Sequence, residues 1–254
     1  MDIQQVKVLV LVLVRVATMM AFLPFLGTGS TPKVIKALAS LAIALVLYPF
    51  ADVSQAVASL DGPLSYFLVM CSEVTFGALV GFCAMVVFQT LRHAGEMMGH
   101  QMGMGLARAA DPVSGVEATV VANFCDALGV LTFFALGGHC WMIAAIDHSF
   151  AQWPVGVLVS PEFLKTLSVS AVRHCFAMSF QLAAPLVLMM FMIALLMAVT
   201  ARLVPEINVL IVGFPLRVGV GLVGLMLFTP VIVRFAGDVS RLMIRFLTGC
   251  TAGV

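Results

Sequence analysis

Hydrophobic positions along the 254 residues gather into six long runs: Val8 to Leu26, Val34 to Phe50, Leu64 to Phe88, Ala118 to Ile146, Cys175 to Ala201 and Ile207 to Val233. Runs of this length predict helices rather than strands, so the pattern predicts an all-α chain of membrane-type helical segments, some folded as hairpins. A comfortable bilayer span needs about 20 mainly apolar residues, and each run is interrupted short of that ideal. Arg15 divides the first, Lys36 leaves only Ala37 to Phe50 in the second, and Glu73 and Asp126 lie within the third and fourth. Pro185 is expected to break the fifth run, and Pro215 with Arg217 the sixth. A charge at the bilayer centre costs roughly 2.5 to 3.5 kcal/mol, so Arg15, Glu73, Asp126 and Arg217 should face protein or water. Arg15 and Arg217 are expected to find carboxylate or carbonyl partners, in this chain or on neighbours.

The pattern changes character between Gly95 and Gly115, GEMMGHQMGMGLARAADPVSG. Gly95, Gly99 and Gly103 recur every four residues, which on a helix forms one stripe open to close backbone approach. Gly77 and Gly81 form a GxxxG pair on what reads as an earlier part of the same helix. Intrachain packing and subunit contact explain these glycines equally well. Met97, Met98, Met102 and Met104 crowd beside the stripe, either as core filling or as a deformable seal. Asp111 before Pro112 ends helical geometry, with Gly105 and Gly115 as joints on either side. The segment from Gly105 to Glu117 is then an exposed turn or a re-entrant element; composition prefers the turn.

Elsewhere the polar connections are short and no domain linker is visible. Asp52 to Pro63 and Asp147 to Arg173 read as solvent-side loops, the second with Trp153-Pro154 and Ser160-Pro161 as turn starters. Near the end, Arg234, Asp238, Arg241 and Arg245 occupy one helical face, and Phe235, Val239, Leu242 and Phe246 another, predicting an amphipathic helix. Lys and Arg divide six to five between the two sides of a six-span arrangement, so charge bias fixes no orientation.

Composition places the chain in the membrane class: 62% hydrophobic and 10% charged residues, with a mean hydropathy of +1.15. A net charge of +1 without a basic run gives no case for nucleic acid. The six cysteines, Cys71, Cys83, Cys125, Cys140, Cys175 and Cys250, form no CxxC pair and read as buried free thiols. His93, Glu96 and His100 lack HExxH or HxxEH spacing, so a structural role is preferred to a metal site. Ser114 in PVSGV has no nucleophile elbow, and no phosphate loop ending in GK[ST] occurs. The expectation is a protein without catalytic residues, cofactor or metal.

At Gly95 to Pro112 the chain resembles the FliR family of flagellar biosynthesis proteins, the R subunits of type III export gates, which carry GExxGxQMG followed by a DP-containing loop. Agreement continues at Phe25 to Leu45 (FLGTGSTPKVIKALASLAIAL), Phe134 to Phe150 (FALGGHCWMIAAIDHSF) and Pro205 to Leu222 (PEINVLIVGFPLRVGVGL). Injectisome T-subunit homologues are the next nearest. The chain departs at ARAADPVSGVE, with Arg108 and several alanines in place of a more apolar lead-in.

The resemblance implies one export-gate subunit over 1–254, a P-like part over about 1–174 fused to a Q-like part over 175–254. It implies assembly with FliP, FliQ and FlhB in the bacterial inner membrane, at the export apparatus of the flagellar basal body and raised toward the periplasm. Unfolded flagellar export substrates would pass through the channel, and membrane lipid would surround it. The resemblance also reverses the preference for an exposed turn. Leu106, Arg108, Asp111, Pro112, Ser114 and Gly115 become a channel plug, with the four methionines as its gasket. The alternative is a small-solute or ion transporter that uses Arg15, Glu73, Asp126 and Arg217 as midplane charges, although no inverted repeat is apparent.

Overall fold

The computed structural model describes residues 3–22, 32–50, 62–105, 119–156, 160–204 and 209–251, and every element among them is helical. The helices are α1 (Ile3–Phe22), α2 (Lys33–Leu47), α3 (Pro63–Gln101), α4 (Val120–Ala135), α5 (Gly138–Gln152), α6 (Pro161–Leu203) and α7 (Val209–Thr251). A single 3₁₀ turn, Tyr48–Phe50, extends α2. The all-α expectation of membrane-type hairpins and broken helices therefore holds. Four helices, α1, α3, α6 and α7, are long and apolar enough to cross a membrane, and counting α4 with α5 as one broken span gives five. At 15 residues, α2 reaches about 22 Å, short of a hydrocarbon layer about 30 Å thick.

Helix ends follow local chemistry. Thr119 caps α4, its Oγ1 accepting from the Ala122 N–H at 3.2 Å. Ser160 accepts from the Phe163 N–H at 3.3 Å, and Pro161 occupies the first position of α6, where its missing N–H removes no helical bond. Met102 and Gly103 end α3, with Gly103 at φ 86° and its N–H donating to the His100 carbonyl at 3.0 Å. Gly137, at φ 71°, separates α4 from α5.

Three expectations are corrected. Helix α6 runs through Pro185, and α7 through Pro215 and Pro230, without interruption. In an apolar setting, one lost hydrogen bond costs less than a stretch of irregular backbone with several unsatisfied groups. Most of Asp147 to Arg173 is helical, the end of α5 and the start of α6, because turn chemistry is confined to Trp153-Pro154 and Ser160-Pro161. Cys83, Cys125 and Cys175 are buried as expected, but Cys71 and Cys140 are exposed; the side chain of Cys250 lies outside the described residues. The C-terminal amphipathic pattern is the end of α7, with Arg234, Asp238, Arg241 and Arg245 exposed and Val239 buried.

The chain forms two compact units. The first comprises residues 1–87, 137–173 and 240–254; the second comprises 88–136 and 174–239. In the second, Leu91, Ala94, Met98, Met102, Leu186 and Met190 belong to one buried apolar core. Phe88 meets Phe133 edge to face at 4.9 Å, and Ser179 Oγ donates to the Thr90 carbonyl at 2.9 Å.

Candidate functional site

In the first unit, Arg15 and Glu73 are both sealed from solvent, at 2% and 1% exposure. Arg15 Nε donates to Glu73 Oε2, forming an ion pair. Its Nη1 donates to the Trp153 carbonyl at 2.9 Å and reaches the Ser149 carbonyl at 3.5 Å. The second carboxylate oxygen, Glu73 Oε1, accepts from the Gly156 N–H at 2.9 Å. Phe76 and Phe150 present rings to the guanidinium at 4.8 and 4.6 Å. One charge pair thereby joins α1, α3 and the turn that follows α5. In a low-dielectric interior such a pair is tolerated because further hydrogen bonds reach it, at Arg15 Nη1 and at the second Glu73 oxygen.

The glycines beside this pair explain its closeness. A Cβ at Gly77 would lie 2.6 Å from the Arg15 carbonyl oxygen, and one at Gly81 would lie 2.8 Å from that of Met19. The GxxxG face of α3 thus receives the backbone of α1 directly.

Further along α3, within the second unit, the same device recurs. A Cβ at Gly95 would lie 2.7 Å from Ala122 Cα, and one at Gly99 would lie 2.6 Å from Thr119 Oγ1. The end of α3 and the start of α4 are therefore packed side by side where segment 106–118 leaves and returns. Gly103 differs from the stripe predicted for it. It lies in the turn after α3, facing the Phe214 ring at a built-Cβ distance of 3.5 Å, because its positive φ takes it off the helical face.

The four methionines separate into two pairs. Met98 and Met102 are wholly buried, while Met97 and Met104 are partly buried against the same core. Met102 packs on the bare backbone of α7, where a Cβ at Gly221 would lie 2.6 Å from its Cγ. Leu106, Arg108, Asp111, Pro112, Ser114 and Gly115, the predicted plug positions, lie outside the described residues.

Asp126 on α4 and Arg217 on α7 are half-buried, and neither has a hydrogen-bond or ion-pair partner among the described residues. Arg92 and His93 both approach Glu96, at 3.8 and 3.5 Å, and His93 stacks on Phe176 with ring centroids 5.9 Å apart. No group of three metal-ligating side chains converges among the described residues.

Sequence reasoning named Arg15 and Glu73 but not the atoms that complete their site: the carbonyls of Ser149 and Trp153, the Gly156 N–H, and the rings of Phe76 and Phe150. The rings and Trp153 sit in apolar or turn-forming stretches that carry ordinary structural explanations. Backbone donors and acceptors leave no mark in a sequence.

A family model described as bacterial export proteins, family 1, matches residues 6–243. The chain is 28% identical to the flagellar biosynthetic protein FliR of Escherichia coli over 88% of its own length and 84% of that protein. It is 24% identical to FliR of Bacillus subtilis over 95% and 93% of the two chains. A higher identity, 32%, to FliR of Pectobacterium carotovorum extends over 66% of this chain and 64% of that protein, so this alignment spans just under two thirds of that relative. Yop proteins translocation protein T of Yersinia pestis is 26% identical over 69% and 67%.

Proposed function

Because the chain belongs to the bacterial export proteins of family 1, we propose that it is a core, non-enzymatic subunit of the flagellar type III export gate in the bacterial inner membrane. The observation that carries this reading is the match over residues 6–243, joined by flagellar relatives aligned across most of their lengths. The Yop translocation protein T aligns over a smaller share than the Escherichia coli and Bacillus subtilis flagellar proteins do, which favours the flagellar branch over an injectisome role.

The helices support a position within a larger assembly. At 39, 43 and 43 residues, α3, α6 and α7 extend about 60 Å, twice the hydrocarbon thickness, so much of each lies outside a bilayer core. Burial within the chain covers 61% of the most apolar window of α3, but only 33% of that of α6 and 17% of that of α7. Large side chains such as Phe180, Leu196, Ile211, Met226 and Leu227 remain exposed. Apolar surface on this scale needs lipid or protein cover. The reading assigns part of it to FliP and FliQ, with FlhB adjoining, in an assembly raised toward the periplasm. It also takes 1–174 as P-like and 175–254 as Q-like; their junction falls inside the continuous helix α6.

Within this gate, residues 106–115 act as the plug, and the glycine-packed ends of α3 and α4 are its fixed mounting. Met97 and Met104 have surface left to seal a passage, while Met98 and Met102 hold the mounting together. The alternative, a small-solute or ion transporter, loses two of its four charges: Arg15 and Glu73 pair with one another in a sealed site.

The test combines assembly and passage. Co-expression with P and Q subunits should give a stable complex. An export substrate stalled in it should cross-link to photoreactive residues placed between Leu106 and Ser114. Absence of a complex would refute the subunit reading; a complex without adducts would refute the plug alone. Deletion of Ala109 to Val113 should increase ion leakage through the gate, whereas unchanged tightness and export would leave the subunit a purely structural role.

A further inference from the structure

Between α1 and α2 lies an open groove of about 440 Å³, lined by Leu13, Ala17, Met20, Ala37 and Leu41, with Lys36 and Ser40 as its polar members. Ser40 Oγ is already engaged, donating to the Ala37 carbonyl at 2.9 Å. Lys36 is half-exposed and has no ion pair among the described residues. Lys33 stands one turn before Ala37 and is exposed, likewise without an ion pair among the described residues. Asp2 is the only acidic residue among the first 50.

The same end of α2 has a second attraction for anions. Its N-cap is Pro32, and no side chain caps it. The Ile35 N–H turns back to the Pro32 carbonyl at 3.0 Å, and the start of any helix carries a partial positive charge. Lys36 therefore lines the apolar groove, and Lys33 lies three residues before it at the N-terminal end of the same helix. An ordinary anion would satisfy the charges but not the groove, and a neutral hydrocarbon only the groove. An amphiphile with an anionic phosphate and an apolar tail satisfies both.

We propose that the groove between α1 and α2 is a binding site for an anionic glycerophospholipid of the bilayer, one acyl chain lying along Leu13, Ala17 and Leu41 and the phosphate meeting Lys36, Lys33 and the start of α2. The bound lipid covers apolar surface beside a helix too short to span the hydrocarbon layer alone. The site depends on the chain being a membrane protein and not on its role in export.

The test uses the full-length chain, stripped of lipid in detergent and examined by native mass spectrometry with three probes: dioleoyl phosphatidylglycerol, dioleoyl phosphatidylcholine and inorganic phosphate. One phosphatidylglycerol should be retained about tenfold more strongly than phosphatidylcholine, and phosphate should not be retained. Lys33→Gln with Lys36→Gln should remove the preference, Lys36→Arg should keep it, and Ala17→Phe should expel the acyl chain and lower retention of both lipids. Circular dichroism confirms that each variant is folded; if Ala17→Phe is not, the lysine series decides. Equal retention of the two lipids, retention of phosphate, or indifference to the lysine substitutions overturns the proposal. So does loss of the lipid when the chain is purified with its partner subunits, an outcome that gives the groove to a partner chain. Lipid retention is read without any export substrate, so its failure is distinct from failure of the gate reading.

Discussion

The Arg15–Glu73 site and the Met98–Met102 core hold helices together by opposite means. In the first, two full charges are withdrawn from solvent and every contact has a direction: carboxylate to guanidinium, guanidinium to the Trp153 carbonyl, carboxylate to the Gly156 amide. In the second, flexible thioether side chains fill the space against Ala183, Leu186 and Leu225, with no polar atom at stake. A directed site tolerates little change, because removing one member leaves the other charge buried. A core of methionines tolerates a change of shape if the volume is kept. The two share one device, glycine on α3, which at Gly77 and at Gly95 admits a neighbouring backbone to within what a methyl group would occupy.

The largest expected effect tests the directed site. Arg15→Ala should lower stability by about 3 to 5 kcal/mol, since Glu73 would stay buried without its partner. The double change Arg15→Met with Glu73→Leu should recover most of that loss, because an apolar pair needs no charge balance. Thermal unfolding in detergent measures both. If Arg15→Ala alone unfolds at the temperature of the unaltered protein, the pair contributes nothing and the contrast between the two regions disappears.

The second test asks whether the methionine core is as soft as its chemistry. Met98→Ala should cost about 2 to 5 kcal/mol through the cavity it leaves. Met98→Leu should cost less than about 1.5 kcal/mol, since volume and apolarity are nearly conserved. A leucine variant as unstable as the alanine one would make Met98 a shape-specific contact, and the division between a rigid polar site and an adaptable apolar one would need redrawing.

The sequence made the architecture legible where apolar length sets the answer: six runs correspond to α1, α2, α3, the broken pair α4 and α5, α6 and α7. It was misleading at proline. Pro185 and Pro215 read as breaks, yet α6 and α7 continue, because flanking turns of a long apolar helix outweigh one missing hydrogen bond. It was also misleading for Asp147 to Arg173, where polar residues mark exposed helical surface as readily as loop. The glycine stripe was readable as close packing, but its partners were not: nothing near Gly95 names Ala122, and nothing near Gly77 names Arg15. Arg15 announced itself as a charge that must be paired. Its complement came from Glu73, 58 residues away, and from carbonyls still farther along, which only the folded chain brings to it.

The smallest expected effect lies at Gly103, where the glycine of the turn after α3 can be told apart from those on the helix. At Gly77 and Gly95 the obstacle to a side chain is space. At Gly103 the built Cβ meets only the Phe214 ring, at 3.5 Å, an ordinary contact, and the obstacle is φ 86°. Gly103→Ala should therefore cost about 1 to 2 kcal/mol, the penalty of a left-handed conformation for an L-residue. Gly103→Asn should cost less, because asparagine visits that region more readily. For a site limited by space the order reverses, the larger asparagine being worse than alanine. Measuring both variants by thermal unfolding separates the cases from their ranking, without reliance on absolute values. The ranking also bears on the gate. If the left-handed turn at Gly103 fixes the direction in which the chain leaves α3, Gly103→Ala should increase ion leakage through the assembled complex more than Gly103→Asn does.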